Sequence, residues 1–304
     1  MKKLNHEIIL LISLLLFVPT TVSCQLPDTL REKVRNSTSN YSIHDDTIPI
    51  TCSKTLPCLE VRINGKGPYN FLIDLGSNIV LFKQSIVEEA NVDILIDRSS
   101  GDIVKAGILK IGNSIFSNVH GAAYENLDVD GVIGFNLLKK ANFFIDYPNM
   151  QFAFIGKEPG QKDSTYIKYE LMSRMPYLKS KIGNSISYVN FDTGADLWLY
   201  FPLRLKDSLQ FKTPVTEFKE MGNNQTGKTM TYMGQIKEDI IFGNYTIVSP
   251  YIVFDPNIED IYVGSSLLNQ FKLSFFPNLE LVKMDRLEKG NLIVIPKNQK
   301  KNSK

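Results

Sequence analysis

Histidine and cysteine are scarce, with three of each in 304 residues. His6, His44 and His120 stand far apart along the chain, so they supply no clustered ligand set for zinc or a similar metal, and no metal or cofactor is implied. A dominant charge is also missing. Lys+Arg number 34 against 32 Asp+Glu, which leaves no overall field directed at nucleic acid. The apolar run over residues 8–18 is too short, and too soon followed by polar residues, to favour a bilayer-spanning helix.

What that run does fit is an export signal. Lys2 and Lys3 precede it and small residues follow it up to Ser23, which is the layout of a secretory signal peptide over residues 1–23. The junction Thr21-Val22-Ser23-Cys24 resembles a bacterial lipoprotein signal, in which the cysteine becomes the lipidated first residue, although Thr21 stands where that pattern has Leu. The resemblance implies a lipid on Cys24 and a periplasmic or cell-surface protein held to a membrane. The alternative is an ordinary secretory peptide with a stray thiol. Residues 24–47 are polar, with Asn36-Ser37-Thr38-Ser39-Asn40 at their centre, and are expected to form a tether because they offer too little apolar surface to offset chain entropy. In an exported chain Cys52 and Cys58 form the natural disulfide pair, within a strand, turn and strand over residues 50–61. Two buried free thiols are the alternative.

Beyond Leu59 the pattern is mostly β. Apolar runs over 69–73, 78–82, 108–111 and 115–119 alternate with Gly and Asn turns, as an antiparallel barrel or sandwich requires. Short helices are expected at 84–90, 136–141 and 266–270. The 43% apolar and 22% charged composition suits globular lobes, and the length suffices for two cores.

The chain says nearly everything twice. Ile73-Asp74-Leu75-Gly76-Ser77-Asn78-Ile79-Val80 returns as Phe191-Asp192-Thr193-Gly194-Ala195-Asp196-Leu197-Trp198. Val132-Ile133-Gly134-Phe135 is echoed by Tyr262-Val263-Gly264-Ser265, and Phe144-Ile145-Asp146-Tyr147-Pro148-Asn149 by Leu273-Ser274-Phe275-Phe276-Pro277-Asn278. Asp74 to Gly134 spans 60 residues and Asp192 to Gly264 spans 72, so the second unit carries an insertion. Repetition of this kind means two lobes. Their expected limits are 48–156 and 166–296, joined by a polar linker over 157–165 and followed by a basic tail, 297–304.

In both copies an apolar strand ends on an acid, then one residue, a glycine and a small residue, and a later apolar-apolar-glycine returns beside it. On these motifs residues 51–285 resemble the bacterial two-lobed aspartic peptidases, pepsin-like or retropepsin-like. The resemblance implies an all-β, pseudo-twofold fold with a few short helices and a dyad of Asp74 and Asp192. Gly76, Ser77, Thr193, Gly194 and Ala195 would support the dyad. It further implies an endopeptidase acting on extended peptides, and the chain is expected to be a monomer. In the family each acid is followed by Thr or Ser, whose hydroxyls bond across the lobe junction; Thr193 matches and Leu75 does not.

Two carboxyls held together suit peptide hydrolysis because they cannot both ionise cheaply. One keeps a proton for the carbonyl oxygen while the other takes a proton from water. The pair titrates as a unit, so neither role belongs to one residue from sequence. The resemblance also implies a hairpin flap over the substrate, for which 97–106 and 222–227 have the turn composition, with a plain surface hairpin as the alternative. Asp196 reads as a solvated or ion-paired acid, Trp198 and Tyr200 as core or sheet face, and Asp146 as structural. Two other readings stand beside the peptidase: a pseudo-peptidase that binds peptides without cutting them, because Leu75 weakens the junction, and a surface lipoprotein that presents loops to a partner.

Overall fold

Alternating apolar side chains drive two strands into the middle of the molecule, and each ends on a buried acid. Lys66–Asp74 buries Tyr69, Phe71 and Ile73 ahead of Asp74; Ser185–Asp192 buries Val189 and Phe191 ahead of Asp192. The structure, a computed structural model, describes residues 27–53, 56–99, 101–156, 164–223 and 227–286. The expected signal peptide, Cys24, the linker stretch 157–163 and the tail lie outside the described residues. Among the described residues no helix is long and apolar enough to cross a membrane.

Each acid strand lies in its own large sheet, of nine strands in the first half and ten in the second. The surroundings match. On one side stands the antiparallel strand of its own hairpin, Leu56–Ile63 or Met175–Ile182. On the other runs a short parallel strand, Gly131–Gly134 or Ile261–Gly264, in the same register: Gly134 faces Asp74 and Gly264 faces Asp192. Leu81–Lys83 or Leu199–Pro202 lies beyond it. The parallel pairing is possible because a long excursion separates the two strands in sequence.

A third sheet, of six strands, joins the halves. Its central pair is Asn142–Asp146 against Phe271–Phe276, antiparallel, with Phe143 opposite Phe275 and Asp146 opposite Lys272. In the repeat Phe143 corresponds to Lys272 and Asp146 to Phe275, so this register maps onto itself under a two-fold axis. Phe143 and Phe275 stack at 5.1 Å and 11° beside that axis, and Phe135, Tyr169 and Phe191 close around Phe275. Asp146 is structural: it accepts from the Asn149 amide and side chain and lies 3.6 Å from Lys272 Nζ. The molecule is an all-β, two-lobed, pepsin-like fold built on an internal duplication.

The insertion in the second half lies in a hairpin arm. Asp93–Ile96 pairs with the first part of Asp102–Ile111, whereas its counterpart is the longer pair Thr216–Asn223 and Gly227–Gln235. Both flap candidates are therefore turns of topologically equivalent hairpins; residues 224–226 at the second tip lie outside the described residues. Short helices form at Gln84–Glu89, Phe135–Leu138 and Ser265–Leu268. The last two begin directly after Gly134 and Gly264, the matching glycines of the two halves, one residue earlier than expected.

The stretch expected to be a tether is ordered from Asp28 onward. Asp28–Asn36 is a helix, and Asn40–Ser42 and Thr47–Pro49 are strands joined to the first and third sheets. Its polar average conceals a sparse apolar stripe. Leu30 and Val34, one turn apart, rest on a cluster that includes Leu72, Leu81, Ile103 and Val132, while Ile48 and Ile50 are buried farther on. A segment laid on an existing apolar surface needs only a few such residues. Leu72 shares a strand face with Asp74, so this helix lies on the acid-bearing side of the first sheet. Asn136 Nδ2 donates to Val34 O at 3.2 Å, and Arg174 of the second half reaches Glu32 at 3.3 Å. Cys52 and Cys58 are joined by a disulfide.

Candidate active site

The structure brings Asp74 and Asp192 together. The tightness of their approach is set by glycine: a Cβ on Gly76 would lie 2.8 Å from Asp192 Cγ, and one on Gly194 would lie 2.9 Å from Asp74 Cγ. Each loop thus needs a residue without a side chain where it faces the other half's acid. Asp74 Oδ1 accepts the Gly76 amide at 2.8 Å; Asp192 Oδ1 accepts those of Gly194 at 3.1 Å and Ala195 at 3.0 Å. The two carboxyls face one another across these glycines, near enough for each to shift the titration of the other.

Both acids are fully buried. Burial raises the Asp74 carboxyl well above the ordinary value of 3.8, with the neighbouring charge of Asp192 as the second cause. Burial also raises Asp192, opposed by the Ala195 and Gly194 amides and by its hydrogen bond with Asp74. Both shifts run the same way, so the pair holds a proton at pH values where an ordinary carboxyl has lost it. Asp74 Oδ2 and Asp192 Oδ2 are buried with no hydrogen bond from any other described residue, which favours a proton kept by the pair.

Between the two acid-bearing loops the bridging hydroxyl is that of Thr193. Thr193 Oγ1 donates to Ile73 O at 2.7 Å and accepts the Leu75 amide at 2.9 Å, spanning from the second half to the first. The reciprocal pair of bonds is absent, because Leu75 has no hydroxyl and packs in the core instead. Ser77 Oγ bonds Ile79 O at 3.0 Å within its own loop, and Ala195 is buried beside Asp192.

Asp196 is half-buried and its carbonyl accepts the Ser266 hydroxyl. Trp198 and Tyr200 are buried; the indole donates to Tyr251 O at 2.6 Å, and the Tyr200 hydroxyl accepts the Leu197 amide at 3.3 Å. Sequence reasoning missed Ser265 and Tyr147. Ser265 Oγ donates to Thr193 O at 2.7 Å and lies 3.0 Å from Tyr147 Oη, all inside the protein. The signal was present in the repeat, where these positions hold Phe135 and Phe276 in the other half.

No protein-family model matches the chain, and no curated protein matches it. Among solved structures it is similar to a retropepsin-like aspartic protease from Rickettsia conorii, at 16% identity and a TM-score of 0.28, over 34% of this chain and 82% of that one. The class rests on the molecule itself: two pseudo-symmetric β lobes, a joining sheet and facing acids in glycine-bearing loops make the fold aspartic-protease-like.

Proposed function

We propose that the protein is an aspartic endopeptidase that hydrolyses peptides bound in an extended conformation, with Asp74 and Asp192 activating a water molecule. The observation that carries this reading is the facing pair itself: two buried carboxyls, delivered by equivalent strands, each set against the glycine of the other half's loop. The ionised member takes a proton from water as its oxygen attacks the scissile carbonyl, and the protonated member donates to the carbonyl oxygen. Collapse of the tetrahedral species returns a proton to the departing amine. Gly76, Gly194 and Ala195 hold the carboxylates through backbone amides, and Thr193 ties the loops together. We further propose that the chain is exported as a monomer and held to a membrane by a lipid on Cys24, acting on peptides in the periplasm or at the cell surface.

The test is peptide hydrolysis by the purified mature chain and by Asp74→Asn and Asp192→Asn. Each substitution is expected to lower turnover by about 100-fold or more, and a statine-type transition-state mimic is expected to inhibit the unsubstituted protein. Full activity in either variant would sink the proposal.

A second reading is favoured by one observation, the missing hydroxyl at Leu75. A junction held from one side only fits a pseudo-peptidase that retains the peptide-binding cleft without turnover. Peptide binding with no cleavage across the pH range would select it.

A further inference from the structure

The hydrogen bonds around the acids are distributed unequally between the halves. On one side of the two-fold axis three buried polar groups form a chain. Ser265 has a single hydroxyl hydrogen and directs it to Thr193 O at 2.7 Å, so the contact of 3.0 Å between Ser265 Oγ and Tyr147 Oη is donated by the tyrosine. Thr193 Oγ1 then continues to Ile73 O and the Leu75 amide. The image of this chain under the repeat is Phe276, Phe135 and Leu75, in place of Tyr147, Ser265 and Thr193. All three positions are polar in one set and apolar in the other.

The chain also alternates between halves. Tyr147 follows the strand Asn142–Asp146 of the first half; Ser265 and Thr193 belong to the second; Ile73 and Leu75 return to the first. Tyr147 and Ser265 are themselves fully buried, and Tyr147 is further anchored by its amide, which donates to Phe271 O at 3.3 Å. A buried chain of this kind holds its members in one arrangement, because each group left unpaired would bear its full desolvation cost.

We propose that Tyr147 and Ser265 are positioning residues for the dyad: they hold the Thr193 backbone, and with it the Asp192 loop, in place of the second hydroxyl that Leu75 cannot supply. The proposal rests on the peptidase reading for its effect on turnover, but its effect on the acids stands apart from that reading. The hydrogen bonds of the two side chains go to one another and to the Thr193 carbonyl, while the acids act on the Tyr147 hydroxyl through their charge alone. Thr193 adjoins Asp192 in the chain, and its carbonyl and hydroxyl are pinned from opposite sides by Ser265 and by the Ile73–Leu75 backbone. Loosening the first pin lets the loop move relative to Asp74.

The experiment uses the mature chain and two variants, Tyr147→Phe, which removes one oxygen and keeps the ring, and Ser265→Ala. Carboxyl titration by NMR on protein labelled with carbon-13 at aspartate follows Asp74 and Asp192, with the buried Asp255 as an internal control. Both variants are expected to move the apparent titration of the pair by about half a pH unit or more while Asp255 is unmoved. On a cleaved peptide, kcat is expected to fall about tenfold with KM within about twofold, since the defect lies in the reacting geometry. An unmoved dyad titration in a folded variant overturns the proposal, whether or not the protein cleaves peptides. If the unsubstituted protein cleaves nothing but its titration moves in the variants, the positioning role stands and the peptidase reading falls.

Discussion

Asp74 and Asp192 give up all contact with water on folding, and a carboxyl so placed is easier to bury with its proton than without it. Their folded-state values lie above the unfolded value of 3.8, so the stabilisation by bound protons is complete below that pH and is lost as pH rises through the folded-state titration. Removing the charges should reverse the loss. The double variant Asp74→Asn/Asp192→Asn is expected to exceed the unsubstituted protein in stability at pH 8 by on the order of 2 kcal/mol, with the gap closing towards pH 4. Thermal melts across that range check it, and a gap independent of pH would mean that the buried charges are not its source. Leu75→Thr tests the junction from the other side. It surrenders apolar burial, costing about 1 to 2 kcal/mol in urea melts, but restores a hydroxyl, and turnover of a peptide substrate is expected to rise several-fold. The paired acids and glycines were legible in the sequence because each stands in a local frame that recurs. For Tyr147 and Ser265 the repeat shows only that the two halves differ there; that the residues, 118 positions apart, bond to one another emerges only when the halves dock.

The helix Asp28–Asn36 shows how composition can mislead about an element. Averaged over residues 24–47 the stretch is polar, and nothing in that average marks Leu30 and Val34 as a stripe. The surface they rest on, Leu72, Leu81 and Val132, comes from strands distant in sequence. Val34→Asp places a charge in that contact and is expected to lower stability by on the order of 2 kcal/mol in urea unfolding, releasing the helix before the sheets. Amide exchange should then show lost protection at the His120 amide, which donates to Ser37 O, while the strand Lys66–Asp74 stays protected. The β elements were easier to read, because alternation of side chains and Gly or Asn turns are local signals. The two short helices after Gly134 and Gly264 were legible for the same reason, since each follows a repeated frame.

The whole molecule depends on the six-stranded sheet, since its central pair is where the halves register against one another. Phe275 touches aromatic rings from both halves, Phe143 and Phe135 from the first and Phe191 from the second. Phe275→Ala is expected to cost about 3 to 5 kcal/mol and to split a single unfolding transition into two, one for each lobe, as read by calorimetry. One undivided transition at reduced temperature would mean that the lobes are coupled mainly elsewhere. Two lobes could be inferred from the duplication, but the self-matching register of Phe143 with Phe275 and Asp146 with Lys272 could not, because pairing between strands is decided by docking.

The unequal hairpin arms and the one-sided chain of hydroxyls carry a consequence for any peptide lying across the acids. A polypeptide has a direction, and a perfectly two-fold site would take it equally well head-first or tail-first. In this protein the exchange of halves swaps threonine for leucine and a long arm for a short one, so the two directions become different complexes with different energies. Residue preferences on the amino side of a cut bond should therefore fail to reappear on its carboxyl side, and a peptide of reversed order should behave as an unrelated ligand.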